Sequence, residues 1–89
     1  MTDERTTRLR ARIAECDRAV LDAVNARLKL VAELHEHKRR VGLDVVDLDQ
    51  EERLLRTLQA ANAGPLSIEG VRELFREILA LTKREVARS

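Results

Sequence analysis

A helical repeat of apolar residues runs unbroken over residues 7–40 of a chain only 89 residues long. Stepping by three and four, its seam is Arg10, Ile13, Asp17, Val20, Val24, Arg27, Val31, Leu34, Lys38 and Val41, the a/d pattern of a heptad repeat. A helix of that length extends roughly 50 Å, whereas a compact chain of this size has a radius of gyration of ~12 Å. The helix must therefore project beyond any core the chain builds alone. The flanking positions Leu9, Ala14, Cys16, Leu21, Ala23, Leu28 and Leu30 are apolar as well, while Glu15, Asp22, Lys29 and Glu36 fall on the opposite, solvent-facing side. So broad an apolar face predicts an intertwined homodimer in which Cys16 is a small buried hydrophobe.

Four charged residues, Arg10, Asp17, Arg27 and Lys38, lie within that face. Burying an unpaired charge costs several kcal/mol, so such groups are normally paired or hold a ligand. Asp17 reads as the partner of an arginine. One long cation can snorkel to water along its apolar stem. Arg27 and Lys38, eleven residues apart and nearly in phase, point instead to an anionic ligand.

Gly42 supplies a stop signal, and residues 43–48 form a short connection. Asp47 or Asp49 can cap a second helix that runs to about Asn62 with Leu54, Leu55, Leu58 and Ala61 as its stripe. Glu51 falls on that stripe and Glu52 does not. Gly64 and Pro65 end the segment, and Ser67 caps a third helix over residues 68–87. Its stripe is Val71, Leu74, Phe75, Ile78, Leu81, Thr82 and Val86, where Thr82 is placed to bond its own backbone. No segment has the alternation of a strand. The expectation is an all-α domain over residues 1–89 with three helices, long, short and medium.

Several function classes are excluded by composition. The net charge is +1 with no basic block, and Phe75 is the only aromatic residue, so a nucleic-acid surface has neither charge nor stacking platform. A single cysteine rules out a disulfide framework or a multi-cysteine metal site. His35 and His37 stand two apart, not at the three- or four-residue spacing of helical metal ligands. No apolar stretch approaches the ~20 residues of a membrane span, and residues 1–7 lack the apolar core of a leader; a cytoplasmic protein is expected. There is no phosphate loop, nucleophile elbow or triad. Any chemistry here needs neither cofactor, metal nor covalent intermediate, only oriented cations in a dry pocket.

The pattern Leu9-Arg10-x-x-Ile13-x-x-x-Asp17-x-x-x-Leu21-x-x-Val24-x-x-Arg27, with Lys38 beyond it, resembles the first helix of the AroQ-class all-helical chorismate mutases. Val46-Asp47-Leu48-Asp49-Gln50-Glu51-Glu52-Arg53 is similar to that family's Asp-x-x-Arg-Glu motif. The run Asn62-Ala-Gly-Pro-Leu-Ser67, then Leu74-Phe75-Arg76-Glu77-Ile78, resembles its second loop and third helix. The resemblance implies an intertwined homodimeric helical bundle and an isomerase converting chorismate to prephenate in phenylalanine and tyrosine biosynthesis. It implies that Arg27 binds one substrate carboxylate and that Arg10 reaches across from the other subunit to the second. Lys38 would donate to the ether oxygen of the breaking bond. Glu51 and the backbone near Asp47 would hold the ring hydroxyl, with Thr82 close to a carboxylate.

Two positions depart from the family. Gln50 stands where the motif carries Arg, removing a cation. Val86 stands where the family carries Gln or Glu, and valine has no group to donate to the ether oxygen; Glu85 is adjacent but rotated by ~100° on a helix. The departures imply weak unassisted activity, improved by an activating aromatic-pathway enzyme. Two alternatives stay open: a mutase or lyase acting on isochorismate or aminodeoxychorismate, and a non-catalytic, metabolite-binding or regulatory helical dimer.

Overall fold

The computed structural model describes residues 3–45 and 47–88; Val46 of the second motif lies outside the described residues. Three helices follow in order: α1 (Glu4–Val41), α2 (Leu48–Ala61) and α3 (Ile68–Arg88). The first helix starts earlier than its apolar repeat because Asp3 caps it. The Asp3 carboxylate accepts from the Thr6 amide at 2.7 Å and the Thr6 hydroxyl at 3.0 Å, satisfying amides that the first turn leaves open.

Gly42 ends α1 in the left-handed conformation, with φ 77°. The Leu43 amide then donates to the Lys38 carbonyl at 2.8 Å and the Gly42 amide to the Arg39 carbonyl at 3.4 Å, the paired bonds of a Schellman motif. Of the two candidate caps for α2, Asp47 is used: its carboxylate accepts from the Gln50 amide at 3.0 Å. Ser67 caps α3 through a 2.9 Å bond from the Gly70 amide.

The helix α3 is the centre of the chain and packs on both α1 and α2. Leu55 of α2 and Val71 of α3, at 4% and 3% exposure, form the small apolar core. Arg72 ties the same two helices together, donating to both Glu52 oxygens at 3.1 and 3.3 Å and to the Gln59 oxygen at 3.1 Å. Glu52, read from the sequence as off the packed face, therefore meets α3. On α3, Leu74 is exposed rather than part of the packed stripe. It stands three residues after Val71, a rotation of about −60°, at the edge of the face that α1 and α2 share.

The long helix buries no residue within the chain. Leu9, Ile13, Val20, Leu34 and Val41 lie along one exposed stripe, and Cys16, read as buried, is exposed as well. The reason is geometric. The molecule measures 60 × 28 × 17 Å with a radius of gyration of 17.0 Å, so two shorter helices cover only part of one long one. The accessible surface is 7481 Å², against about 5,300 Å² for a compact monomer of this mass. No described helix is long and apolar enough to cross a membrane.

Candidate active site

The C-terminal half of α1 presents Arg27, Val31, Leu34, His35 and Lys38 on one side, residues separated by whole turns. Opposite them stand Asp47, Gln50, Glu51 and Leu54 from the start of α2, and Leu79, Thr82 and Lys83 from α3. Together with Val45 these residues enclose a cavity of about 250 Å³. Val31, Leu34, Val45, Leu54 and Leu79 give it aliphatic walls, and its other lining residues are polar or charged, a make-up suited to a small charged molecule.

The geometry at the cation end is specific. An Arg27 guanidinium nitrogen donates to the Thr82 hydroxyl at 2.8 Å, and Thr82 is only 7% exposed. That hydroxyl in turn donates to the Ile78 carbonyl at 2.7 Å. The threonine thus satisfies its own backbone and also fixes an arginine across two helices. The Lys38 ammonium donates to the Val45 carbonyl at 3.5 Å, a long bond that leaves most of its donor capacity for a ligand.

On the opposite wall, Glu51 is paired with Lys83 at 3.0 Å. The Gln50 side-chain oxygen accepts from Arg53 at 3.2 and 3.0 Å. His35 shares the cavity with Lys38 one turn away. Burial holds its imidazole below the ordinary histidine range, with the Arg39 and Lys38 cations acting in the same direction. Both effects favour the neutral ring.

Of the residues singled out from the sequence, Arg27, Lys38, Asp47, Gln50, Glu51 and Thr82 come together around this cavity. Arg10 does not. It is exposed on α1, and seventeen residues of helix put it about 25 Å from Arg27. Val86 also lies outside the lining, one turn beyond Thr82, in a groove with Leu28, Lys29, Ala32, Glu85 and Arg88. Glu85 is ion-paired with Arg88 at 2.6 Å.

Lys83 and His35 are site residues that sequence patterning does not find. Leu79 and Lys83 lie about 80° and 120° round the helix from Val71, so stripe counting places both outside the packed face. The spacing of His35 to His37 speaks only to metal binding, whereas its spacing to Val31 and Lys38 is that of a pocket wall.

Fold and site together define an all-helical protein with a cavity between its helices into which α1 and α3 bring cations. The sequence pattern of chorismate mutase type II matches residues 9–86. Two solved structures of chorismate mutase from Thermus thermophilus are similar to the chain. Form II has a TM-score of 0.89 at 32% identity, covering 97% of this chain and 98% of its own. Form I has a TM-score of 0.86 at 34% identity, covering 89% and 99%. No curated protein matches. The chain belongs to the type II chorismate mutase family, an all-helical family of isomerases.

Proposed function

We propose that this protein converts chorismate to prephenate as a one-domain, cytoplasmic homodimer, each active site completed by Arg10 of the other copy. The observation that carries this reading is the Arg27–Thr82 bond at 2.8 Å, with Lys38 on the same side of α1, both lining a cavity between three helices. A fixed arginine and a lysine free to turn toward a ligand, with a second arginine from the other copy, match a dianion.

The rearrangement breaks the ether C–O bond and forms a C–C bond within one cyclic transition state, with no proton transferred and no cofactor consumed. What the residues supply is conformation and charge. Arg27 and the second copy's Arg10 hold the two carboxylates so that the side chain lies over the ring, converting a rare conformer into the bound one. Lys38 donates to the ether oxygen as negative charge grows there, where an aliphatic pocket makes an ammonium worth far more than in water. Glu51 and the backbone near Asp47 hold the ring hydroxyl, and Thr82 keeps the Arg27 fork in place beside a carboxylate. Gln50 and His35 line the same cavity.

Loss of the chorismate ultraviolet absorbance on adding purified protein, with isochorismate as comparison substrate, tests the reaction directly. Saturable consumption of chorismate with prephenate as product is expected. Preferential consumption of isochorismate would move the assignment to a relative of chorismate. Binding of chorismate without conversion would favour a regulatory, metabolite-binding dimer.

Assembly has its own test. A stripe that includes Ile13 at 59% and Val20 at 62% exposure is more apolar surface than a monomer keeps in water. Light scattering at micromolar concentration should give about twice the 10.2 kDa chain mass. A folded species at the single-chain mass would remove the second copy's Arg10 from the site.

Valine at position 86 has no side-chain N–H or O–H with which to assist Lys38. Turnover by the isolated protein is accordingly expected to be low, and an activating enzyme of the aromatic pathway would have a gain to confer. Because Val86 lies in the neighbouring groove and not in the cavity lining, Val86→Gln should leave kcat within about threefold; a rise of ~10-fold or more with little change in KM would instead place position 86 at the ether oxygen. Glu85→Ala should be nearly silent, since Glu85 is engaged with Arg88. Loss of activity in Glu85→Ala would place Glu85 at the ether oxygen.

A further inference from the structure

Lys83 has no part in the chemistry above, yet its ammonium stands 3.0 Å from a Glu51 carboxylate oxygen. The pair joins the first turn of α2 to α3, and both side chains line the cavity with Arg27 and Lys38. A second cavity of about 300 Å³ lies on the far side and shares Glu51, Leu79 and Lys83 with the first. The ion pair is therefore part of the wall that divides the two.

Glu51 poses an electrostatic difficulty that Lys83 resolves. A carboxylate can accept a hydrogen bond from a ring hydroxyl, but a bare one also repels a ligand that carries two carboxylates. The lining holds Arg27, Lys38 and Lys83 against Asp47 and Glu51, an excess of one positive charge. Without Lys83 the same lining is neutral. The Asp47 carboxylate caps α2 through the Gln50 amide, whereas Glu51 is the lining acid paired with a side-chain cation.

We propose that Lys83 is a positioning and specificity residue of this site: its ammonium neutralises Glu51 and holds that carboxylate aimed into the cavity, so that Glu51 accepts from the substrate hydroxyl without repelling the dianion. This rests on chorismate being the ligand. The Lys83 side chain is 52% exposed and that of Glu51 28%, so the pair adds little to folding stability, and its loss should be read in binding. Lysine acts as a point charge on a flexible stem, so arginine at 83 can retain the role.

The test compares wild type, Lys83→Gln, Lys83→Arg, Glu51→Gln and the double variant Glu51→Gln/Lys83→Gln, by steady-state kinetics on chorismate and by calorimetric binding where turnover is absent. Lys83→Gln should raise KM ~10-fold with kcat within about threefold, and Lys83→Arg should recover most of the loss. In the Glu51→Gln background the same Lys83→Gln change should cost less than about twofold, because the carboxylate it served is gone. An unchanged KM for Lys83→Gln, or an equal penalty in both backgrounds, overturns the proposal. If wild type rearranges chorismate and Lys83→Gln is indistinguishable from it, the mutase reading survives and this role does not. If wild type binds chorismate without converting it, and Lys83→Gln weakens that binding, the role survives and the reaction does not. Failure of wild type either to bind or to convert chorismate overturns both.

Discussion

Replacing Lys38 with alanine should lower kcat for chorismate by ~10²–10³, about 3–4 kcal/mol of transition-state stabilisation, while the protein stays folded. The ammonium is half-buried at the end of the α1 stripe, and its partner within the chain is the Val45 carbonyl at 3.5 Å. A bond that long contributes little to the fold, so the lysine is free to turn toward a ligand atom. With valine at position 86, Lys38 is the side chain in this reading that meets charge developing on the ether oxygen. Its removal should therefore fall on kcat more heavily than on KM. The structural cost is small, consisting of one cation lost from the last turn of a helix, ~0.3–1 kcal/mol. Circular dichroism should confirm an unchanged helix content. A kcat within threefold of wild type would show that the transition state is stabilised elsewhere in the pocket.

The second large effect concerns the two arginines. Arg27→Ala and Arg10→Ala should each lower kcat/KM by ~10²-fold or more, the order expected on losing a charge-assisted bond to a carboxylate. Thr82 survives the loss of Arg27 without an orphaned donor, because its hydroxyl still donates to the Ile78 carbonyl. The more discriminating result comes from refolding the two inactive variants together. A mixed dimer has one site with its own Arg27 and its neighbour's Arg10 both intact, and one site with neither. Random pairing makes half of the dimers mixed, so activity should return to roughly one quarter of wild type. Recovery requires Arg10 to act across the interface. Absence of recovery would mean that both arginines serve the same chain, against the ~25 Å of helix that separates them.

Much of the site is legible in the sequence because one helix carries so much of it. Residues at whole-turn spacing on α1 share a face whatever the rest of the chain does. Arg27, Lys38 and the apolar residues between them can therefore be assigned to one surface, with an anionic ligand as the physical reason for their company. Caps are similarly local: Asp47 and Ser67 act within three residues of themselves, and Gly42 stops α1 through its own dihedral angles. Fold class follows from the same periodicity.

What the helical wheel does not contain is the rotation of α3 against its neighbours. That rotation depends on which side chains of the three helices fill the space between them, where Leu55 and Val71 are the buried apolar pair. It moves Leu74 outward, brings Leu79 and Lys83 to the cavity, and sets Val86 beside Leu28 in a separate groove. The pairing of Glu51 with Lys83 and of Arg27 with Thr82 joins residues far apart in the chain, for which no local spacing rule exists. Sequence by itself determined the three helices, most of their ends and the cationic face of the first, because those are matters of propensity, capping and period within a few residues. Tertiary structure alone decided which acid meets which base across the pocket, because packing sets the rotation and height of one helix against another, and a rotation of one residue changes the partner.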